Sequence, residues 1–425
     1  MMNNVSRRTF LQATKSASAA ATAFTIIKPE LVRGAGKERL KAGLVGCGGR
    51  GTQAVIDMMR GTENVNIVAM GDLFEDKLEG SIRKIREQPD YAAYADRVTI
   101  DAEHRFVGFE AYKKVLASDI DIVMLAAPPG YRPMHFEAAV EARKHVFCEK
   151  PFGTDPVNVR RFMAAAKKSE ELKLTVMSGA QRRNDRNYLA TVQKIQDGAI
   201  GDVVAAYAYW VGSPVIQQPT GRDPKWGDMT WEHRNWYSYL WICGDQIVEQ
   251  HLHNIDVCNW VMGGHPVEVT ATGGAVWRPR DNEVYGNIYD HVTSDFIYAN
   301  GVHLSSYCRQ FPKGAAQNVS ELIVGSKGRS NGHDLGAGEK TTPYVAEHTA
   351  MAASIRGDGP YVNHGMTVAE STMTCIMGRE SAYSGQKITW DQIMNSQLDL
   401  FPKAFGYDLK RDPTPFPVPG VYRFV

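Results

Sequence analysis

The chain lacks paired cysteines, an excess of either charge and any long apolar run. Its six cysteines (Cys47, Cys148, Cys243, Cys258, Cys308 and Cys375) stand far apart. That spacing argues against a zinc ribbon or a disulfide scaffold and leaves one isolated bridge open. Lys and Arg total 48 against 47 Asp and Glu, a formal charge of +1. Nucleic acid is therefore not an expected partner, because phosphate recognition draws on a basic excess or stripe. The stretch from Ala17 to Ile27 is the main apolar run near the N-terminus, well short of the roughly 20 residues a membrane span needs. No membrane span is expected. With 43% hydrophobic and 22% charged residues, the composition is that of a globular protein rather than a disordered, collagen-like or coiled-coil one. A length of 425 residues fits two or three domains with sizeable cores.

What is present begins with Ser6-Arg7-Arg8-Thr9-Phe10-Leu11-Gln12, followed by the apolar run with Lys15 ahead and Lys28 behind. This resembles a twin-arginine export signal. The resemblance implies that residues 1–36 are a leader and that the protein is periplasmic, carried by a route that moves folded, cofactor-loaded proteins.

Leu40 to Val45 reads as a short apolar strand running into Gly46-Cys47-Gly48-Gly49-Arg50-Gly51, and an amphipathic helix with Ala54, Val55, Met58 and Met59 follows. Strand, glycines and helix in that order are the context in which such a loop binds a dinucleotide. The glycines let backbone N–H groups approach a pyrophosphate at the helix N-terminus. A second strand, Val65 to Met70, ends in Gly71-Asp72, where an acid bonds the adenosine ribose diol and repels a 2′-phosphate. The cofactor reading is NAD rather than NADP, with Arg50 partly offsetting that preference. The alternation continues through Val98 to Ile100, a helix from Phe109 to Leu116, the strand Ile120 to Ala127, Pro128, His135 and a helix from Phe136 to Arg143.

Lys144-His145-Val146 and Glu149-Lys150-Pro151 follow an Ala-rich helix, and Pro128 and His135 precede it. In order and spacing these resemble the glucose-fructose oxidoreductase, inositol dehydrogenase and rhizopine catabolism (Gfo/Idh/MocA) family, over about residues 40 to 330. The resemblance implies an α/β Rossmann-type doubly wound domain followed by an α+β domain with a large, mostly antiparallel sheet. Expected boundaries are 37–180 for the NAD-binding domain, 181–395 for a substrate and oligomerisation domain, and 396–425 for a Pro-rich strap. It also implies association into a dimer or tetramer through the second-domain sheet. Expected cofactor contacts are Gly46, Cys47, Gly48, Gly49, Arg50, Gly51, Asp72, Pro128, His135, Glu149 and Lys150.

Strands then dominate: 203–211, 267–276, 292–298, 302–309 and 320–324. One helix, Asp245 to Met262, interrupts them, its apolar stripe being Val248, Leu252 and Ile255. Glu249, His253 and Asp256 fall at i, i+4 and i+7 and share an adjacent face. In the family the histidine of this helix sits over the nicotinamide as acid/base. Oxidising a hydroxyl requires a base for the O–H proton and benefits from a cation beside the developing alkoxide. His253 is read as the base, Lys150 as the cation or proton relay, and Glu249 as the carboxylate that orients His253. His251 lies roughly 200° around the helix from His253. A metal is not expected, since helical histidine ligands need i, i+4 spacing.

Trp210, Trp226, Trp231, Trp236 and Trp241 crowd together with Tyr207, Tyr209, Tyr237 and Tyr239. Such faces suit a carbohydrate, and equally suit an aromatic core or an oligomer contact. Arg182, Trp236, Tyr237, His251 and Asp256 are the expected substrate residues. The leading functional reading is an exported NAD-dependent oxidoreductase acting on a sugar or glycoside hydroxyl, carbon-3 being one candidate. No nicotinamide pool exists outside the cytoplasm, so the cofactor should stay tightly bound and be recycled in place. The alternative is an NAD-dependent glycosidase working by oxidation, elimination, addition and reduction. Such enzymes carry a His-Gly-Leu-Gly-type motif where Glu249 to Asp256 stands here. A third reading is a non-catalytic, nucleotide-loaded carbohydrate-binding protein.

Overall fold

A computed structural model describes residues 39–214, 221–312, 314–338, 342–412 and 414–425. The leader lies outside the described residues. Six strands build the first sheet: β1 (Leu40–Val45), β2 (Val65–Asp72), β3 (Arg105–Val107), β4 (Ile122–Leu125), β5 (His145–Cys148) and β6 (Val176–Ser178). Their order is β3-β2-β1-β4-β5-β6, all pairs parallel. Helices cover both faces, so the central strands are apolar throughout; β4 reads Ile-Val-Met-Leu and is wholly buried. The order reverses between β1 and β4, and a ligand crevice opens at such a switch point, beyond the strand C-termini.

The third strand is not where the sequence suggests. Val98 makes only an isolated bridge to Ile67, while Arg105–Val107 pairs with Met70 to Asp72. The helix expected from Phe136 starts at Arg132 instead. The Arg132 guanidinium is buried and donates to Ala127 O (3.0 Å) and Pro151 O (2.9 Å), tying together the loops after β4 and β5.

The second sheet has the order β12-β11-β7-β10-β9-β8-β13. Its strands are β7 (Val203–Gly212), β8 (Glu268–Gly274), β9 (His291–Ile297), β10 (His303–Gln310), β11 (Asn318–Gly325), β12 (Gly328–Ser330) and β13 (Ile388–Thr389). Only β10 and β7 run parallel. Alternation along β9 buries Val292, Ser294 and Phe296 on one face. That face packs against the helix Gly365–Ser384, and the helix Leu252–Met262 packs beside it on β7 and β11.

The helix expected over Asp245 to Met262 is broken into Gln246–Glu249 and Leu252–Met262. At the break His251 N donates to Gln246 O, five residues back, and His253 N to Gln250 O, three back. Irregular turns of this kind recur at functional sites. They take Glu249 and His253 off a common helical face.

The chain after the second sheet returns to the first domain. Helix Pro343–Arg356 packs on helix Gly49–Gly61, and Thr349 Oγ1 donates to Gly61 O at 2.7 Å. Residues 396–412 also cross back, where Tyr407 OH donates to Leu73 O at 2.6 Å. All six cysteines are free and buried. Among the described residues no helix is long and apolar enough to cross a membrane.

Candidate active site

One cavity of about 710 Å³ runs from the end of β1 to the second domain. Its floor is the glycine loop. Gly46 has φ +97°, and a Cβ there would lie 2.3 Å from Ala127 N; a Cβ on Gly51 would lie 1.9 Å from Gly46 O. These two glycines are required by protein packing. Gly48 and Gly49 are not, since a Cβ on either meets nothing within 4 Å. Both line the cavity, and Gly48 caps helix Gly49–Gly61 without a side-chain bond to the free N–H groups of the first turn. Bare backbone donors at a helix N-terminus, open on the cavity side, fit a pyrophosphate.

Asp72 lines the same cavity at the end of β2. Its carboxylate accepts from Cys47 N (2.6 Å) and Phe74 N (2.9 Å). Burial raises its pKa, against the pull of those two bonds. The residue is positioned to accept further from ribose hydroxyls. Cys47 therefore acts through its backbone N–H; its thiol bonds Gly71 O and does not line the cavity. Pro128, His135, Glu149 and Arg50 line it. The His135 ring stacks on Tyr112 at 4.3 Å, and burial pushes its pKa down to about 3. Arg50 Nε donates to Glu149 Oε1 at 2.5 Å, and the guanidinium also lies 3.3 Å from Asp57 and 3.6 Å from Glu347. Tyr344 receives the same guanidinium on its ring face at 4.9 Å. A guanidinium shared by three carboxylates has little charge left over for a 2′-phosphate, in keeping with NAD as the cofactor.

Deeper in the cavity Lys150 extends from the end of β5. Its Nζ donates to the Glu249 carbonyl and lies 3.2 Å from Glu249 Oε1, and both side chains are buried. Glu249 Oε2 accepts from Gln250 Nε2. The Glu249 carboxylate is thus held by Lys150 and Gln250. This corrects the expectation that it orients His253; the helix break between them separates the two side chains. His253 lines the cavity with Lys150, Glu249 and Gln250. Its ring stacks on Trp210 at 5.9 Å and 26°, and its Nδ1 is buried without a partner. Burial, then the charges of Lys150, Arg182 and Arg50, hold its pKa well below the ordinary histidine range. The imidazole is consequently neutral at neutral pH and able to take a proton.

Of the expected substrate residues, Trp236 and Tyr237 line the cavity. Three others do not. His251 is fully buried and hydrogen-bonds Ser306 Oγ (2.8 Å) on β10, away from the cavity. Asp256 is paired bidentately with Arg183 (2.8 Å each) and accepts from Ser371. Arg182 pairs with Glu321 behind the His253 backbone.

Much of the aromatic segment lies at the other end, where Asp72 and the adenosine side of the groove lie. Arg234 makes a double ion pair with Asp76 (2.7 and 2.8 Å) and sets its guanidinium 3.7 Å from the Phe74 ring centroid. His233 Nδ1 donates to Met229 O at 2.5 Å, so its Nε2 accepts from Tyr131 OH at 2.7 Å, and the ring meets Phe74 and Phe109 edge-on. Phe405 and Tyr407 of the tail pack on Phe109. Phe74 and Tyr344 carry no motif, so sequence reasoning missed them.

Residues 40–178 match the family model described as an oxidoreductase family with NAD-binding Rossmann fold, and residues 188–330 match the GFO/IDH/MocA C-terminal domain. The uncharacterised oxidoreductase YrbE of Bacillus subtilis is 26% identical over 244 residues, 57% of this chain and 62% of YrbE. Inositol 2-dehydrogenase of Rhizobium meliloti is 28% identical over 291 residues, 68% of this chain and 74% of that one. The matched region thus spans less than two thirds of YrbE and about three quarters of the inositol 2-dehydrogenase. A crystal structure of scyllo-inositol dehydrogenase from Lactobacillus casei, with NAD(H) and scyllo-inositol bound, superposes with a TM-score of 0.63 at 17% identity. It covers 83% of this chain and 99% of that one.

Proposed function

Because the chain belongs to the GFO/IDH/MocA oxidoreductase family, with an NAD-binding Rossmann fold, we propose that it oxidises a ring hydroxyl of a sugar, glycoside or cyclic polyol. The observation that carries this reading is that Lys150 and His253, from different domains, line one cavity with the glycine loop and Asp72. NAD, when bound, supplies the hydride acceptor. Gly48, Gly49 and Asp72 would hold it. His253, neutral by burial and by its cationic neighbours, takes the hydroxyl proton. Lys150 offers an N–H donor to the oxygen as negative charge develops there, while Glu249 and Gln250 fix the ammonium in place. Trp236 supplies an apolar wall for a C–H-rich ring.

A retained cofactor belongs to the same reading. Its support is the interlock of Arg234 with Asp76 and of Tyr407 with Leu73 across the outer end of the groove. A dinucleotide that stays in place must return its hydride to a carbonyl, either of a second substrate or of the oxidised intermediate itself. Export by the twin-arginine route rests on Arg7-Arg8-Thr9-Phe10-Leu11; Arg7→Lys with Arg8→Lys should leave the protein in the cytoplasmic fraction. Association of two or more copies through the second sheet is supported by its outer surface, where Tyr209 and Tyr307 stack at 5.5 Å and Tyr307 is 41% exposed. Tyr307→Glu should then give a smaller species in sizing and light scattering.

Denaturing the purified protein and identifying the nucleotide released tests the core of the proposal. NAD or NADH should be recovered, and glycosides, aldoses and inositols added to the intact protein should change its nicotinamide absorbance. A protein that neither binds nor turns over a dinucleotide would end it.

A further inference from the structure

Behind His253, on the side away from the cavity, lies a buried charge pair. Glu321 on β11 is 2% exposed, and its carboxylate takes hydrogen bonds from Arg182 Nη1, Asn254 Nδ2 and Tyr188 OH, the last at 3.2 Å. Arg182 Nη1 also donates to the His253 carbonyl at 3.2 Å. Asn254 is the next residue in the helix. Trp210, against which the imidazole stacks, lies on β7, the strand paired with β11.

We propose that Glu321 is a positioning residue for the base: through Arg182 and Asn254 it fixes the first turn of helix Leu252–Met262, and with it the direction of the His253 ring. The inference rests on the reading of His253 as the base. Three features argue for it over ordinary core packing. The helix is broken immediately before this turn, so intrahelical bonds alone do not hold it. The carboxylate bonds both the residue that grips His253 O and the residue that follows it. A buried carboxylate and guanidinium are costly to desolvate, so retaining them suits specification of one geometry.

The pair also sets charge. The charges acting on His253 are Lys150 from β5, Arg50 from the start of helix Gly49–Gly61 and Arg182 after β6. Each is paired with a carboxylate, Glu249 with Lys150, Glu149 with Arg50 and Glu321 with Arg182; β7 contributes the Trp210 ring.

The test is a double-mutant cycle on the cofactor-loaded protein. Histidine NMR, with the His253 signal assigned by its loss in His253→Asn, reads the titration. Single-turnover reduction of bound NAD by myo-inositol and by glucose, followed over a range of substrate concentrations, reads the hydride step, its saturating rate standing for kcat and its half-saturating concentration for KM. Arg182→Met should raise the His253 titration toward the ordinary histidine range, and Arg182→Lys should leave it low. Glu321→Gln should lower kcat by about ten- to a hundredfold with KM changed less than about twofold. In the Arg182→Met background the same change should add less than about twofold, since the linkage is already cut. An unmoved His253 titration in Arg182→Met, or equal losses from Glu321→Gln in both backgrounds, would overturn the proposal. Full turnover by His253→Asn would instead overturn the reading of the base, and the titration would still report whether the linkage exists.

Discussion

Lys150 and Glu249, 99 residues apart, meet in a buried ion pair at 3.2 Å in which the ammonium also bonds the Glu249 main chain. The pair ties the end of β5 to the turn before helix Leu252–Met262, and so holds the two domains in the register that brings Lys150 and His253 to one cavity.

Lys150→Met should lower kcat by about 10²–10⁴-fold, the usual cost of losing a positioned proton-handling group. It also strands Glu249, and breaking a buried pair by removing one partner costs about 3–5 kcal/mol. A denaturant midpoint reads the second effect. Lys150→Met with Glu249→Leu should recover much of the stability and none of the turnover.

Two substitutions in the glycine loop should part company. Gly51→Ala drives a methyl into Gly46 O and should cost about 1–3 kcal/mol or prevent folding. Gly48→Ala meets no protein atom within 4 Å, so stability should hold within about 0.5 kcal/mol. Dinucleotide affinity should fall about tenfold or more, or ~1.4 kcal/mol. Calorimetry with NAD checks both; unchanged affinity in Gly48→Ala would remove the loop from the cofactor site.

Arg234→Ala and Tyr407→Phe each release one contact between the second domain or tail and the loop Leu73 to Asp76. Together they should speed NADH release by about tenfold or more, seen as decay of bound-nucleotide fluorescence on dilution. Steady-state turnover without added nucleotide should fall for the same reason. If release is unchanged, the interlock is structural only.

Acid should destabilise the fold from pH 6.5 downward. Burial pushes His135, His251 and His348 down to about 3 and His233 to about 4. Their unfolded counterparts bind protons near 6.5, so the unfolded state takes up protons first as pH falls. Each such histidine therefore contributes stability that is present at neutral pH and lost at about 1.4 kcal/mol per pH unit in that window. Buried carboxyls with raised pKa, Glu347 above all, oppose part of this. His348 is fully buried, with neither ring nitrogen bonded. His348→Phe should flatten urea midpoints between pH 7 and 5 by one proton's worth; an unaltered slope would show that His348 charges without unfolding.

Motif-bearing residues were legible because local geometry confines them. Gly46 to Gly51 and Asp72 each serve a strand end, and Glu149-Lys150 closes β5, so chain order alone brings them to the switch point of a parallel sheet. The substrate face was legible only in part. Trp236, Tyr237 and His253 reach the cavity, but His251, Arg182 and Asp256 turn away into bonds with Ser306, Glu321 and Arg183. A regular helix over Asp245 to Met262 would have put Glu249 beside His253. The irregular turn at Gln250 and His251 gave it to Lys150 instead, and periodicity carries no sign of such a turn.

Strand alternation, the glycine loop and the Glu149-Lys150-Pro151 stretch were enough to indicate two domains and a dinucleotide cofactor, and with the spacing of Glu249, His253 and Asp256 they made Lys150 and His253 the candidates, because each signal depends on neighbours a few residues away. Only the tertiary structure decided which carboxylate serves which cation, that Tyr344 and Tyr407 return to the nucleotide domain, and that Glu321 stands behind the His253 turn. Those pairings join groups many tens to hundreds of residues apart, chosen by where burial leaves a charge or a ring in need of a partner.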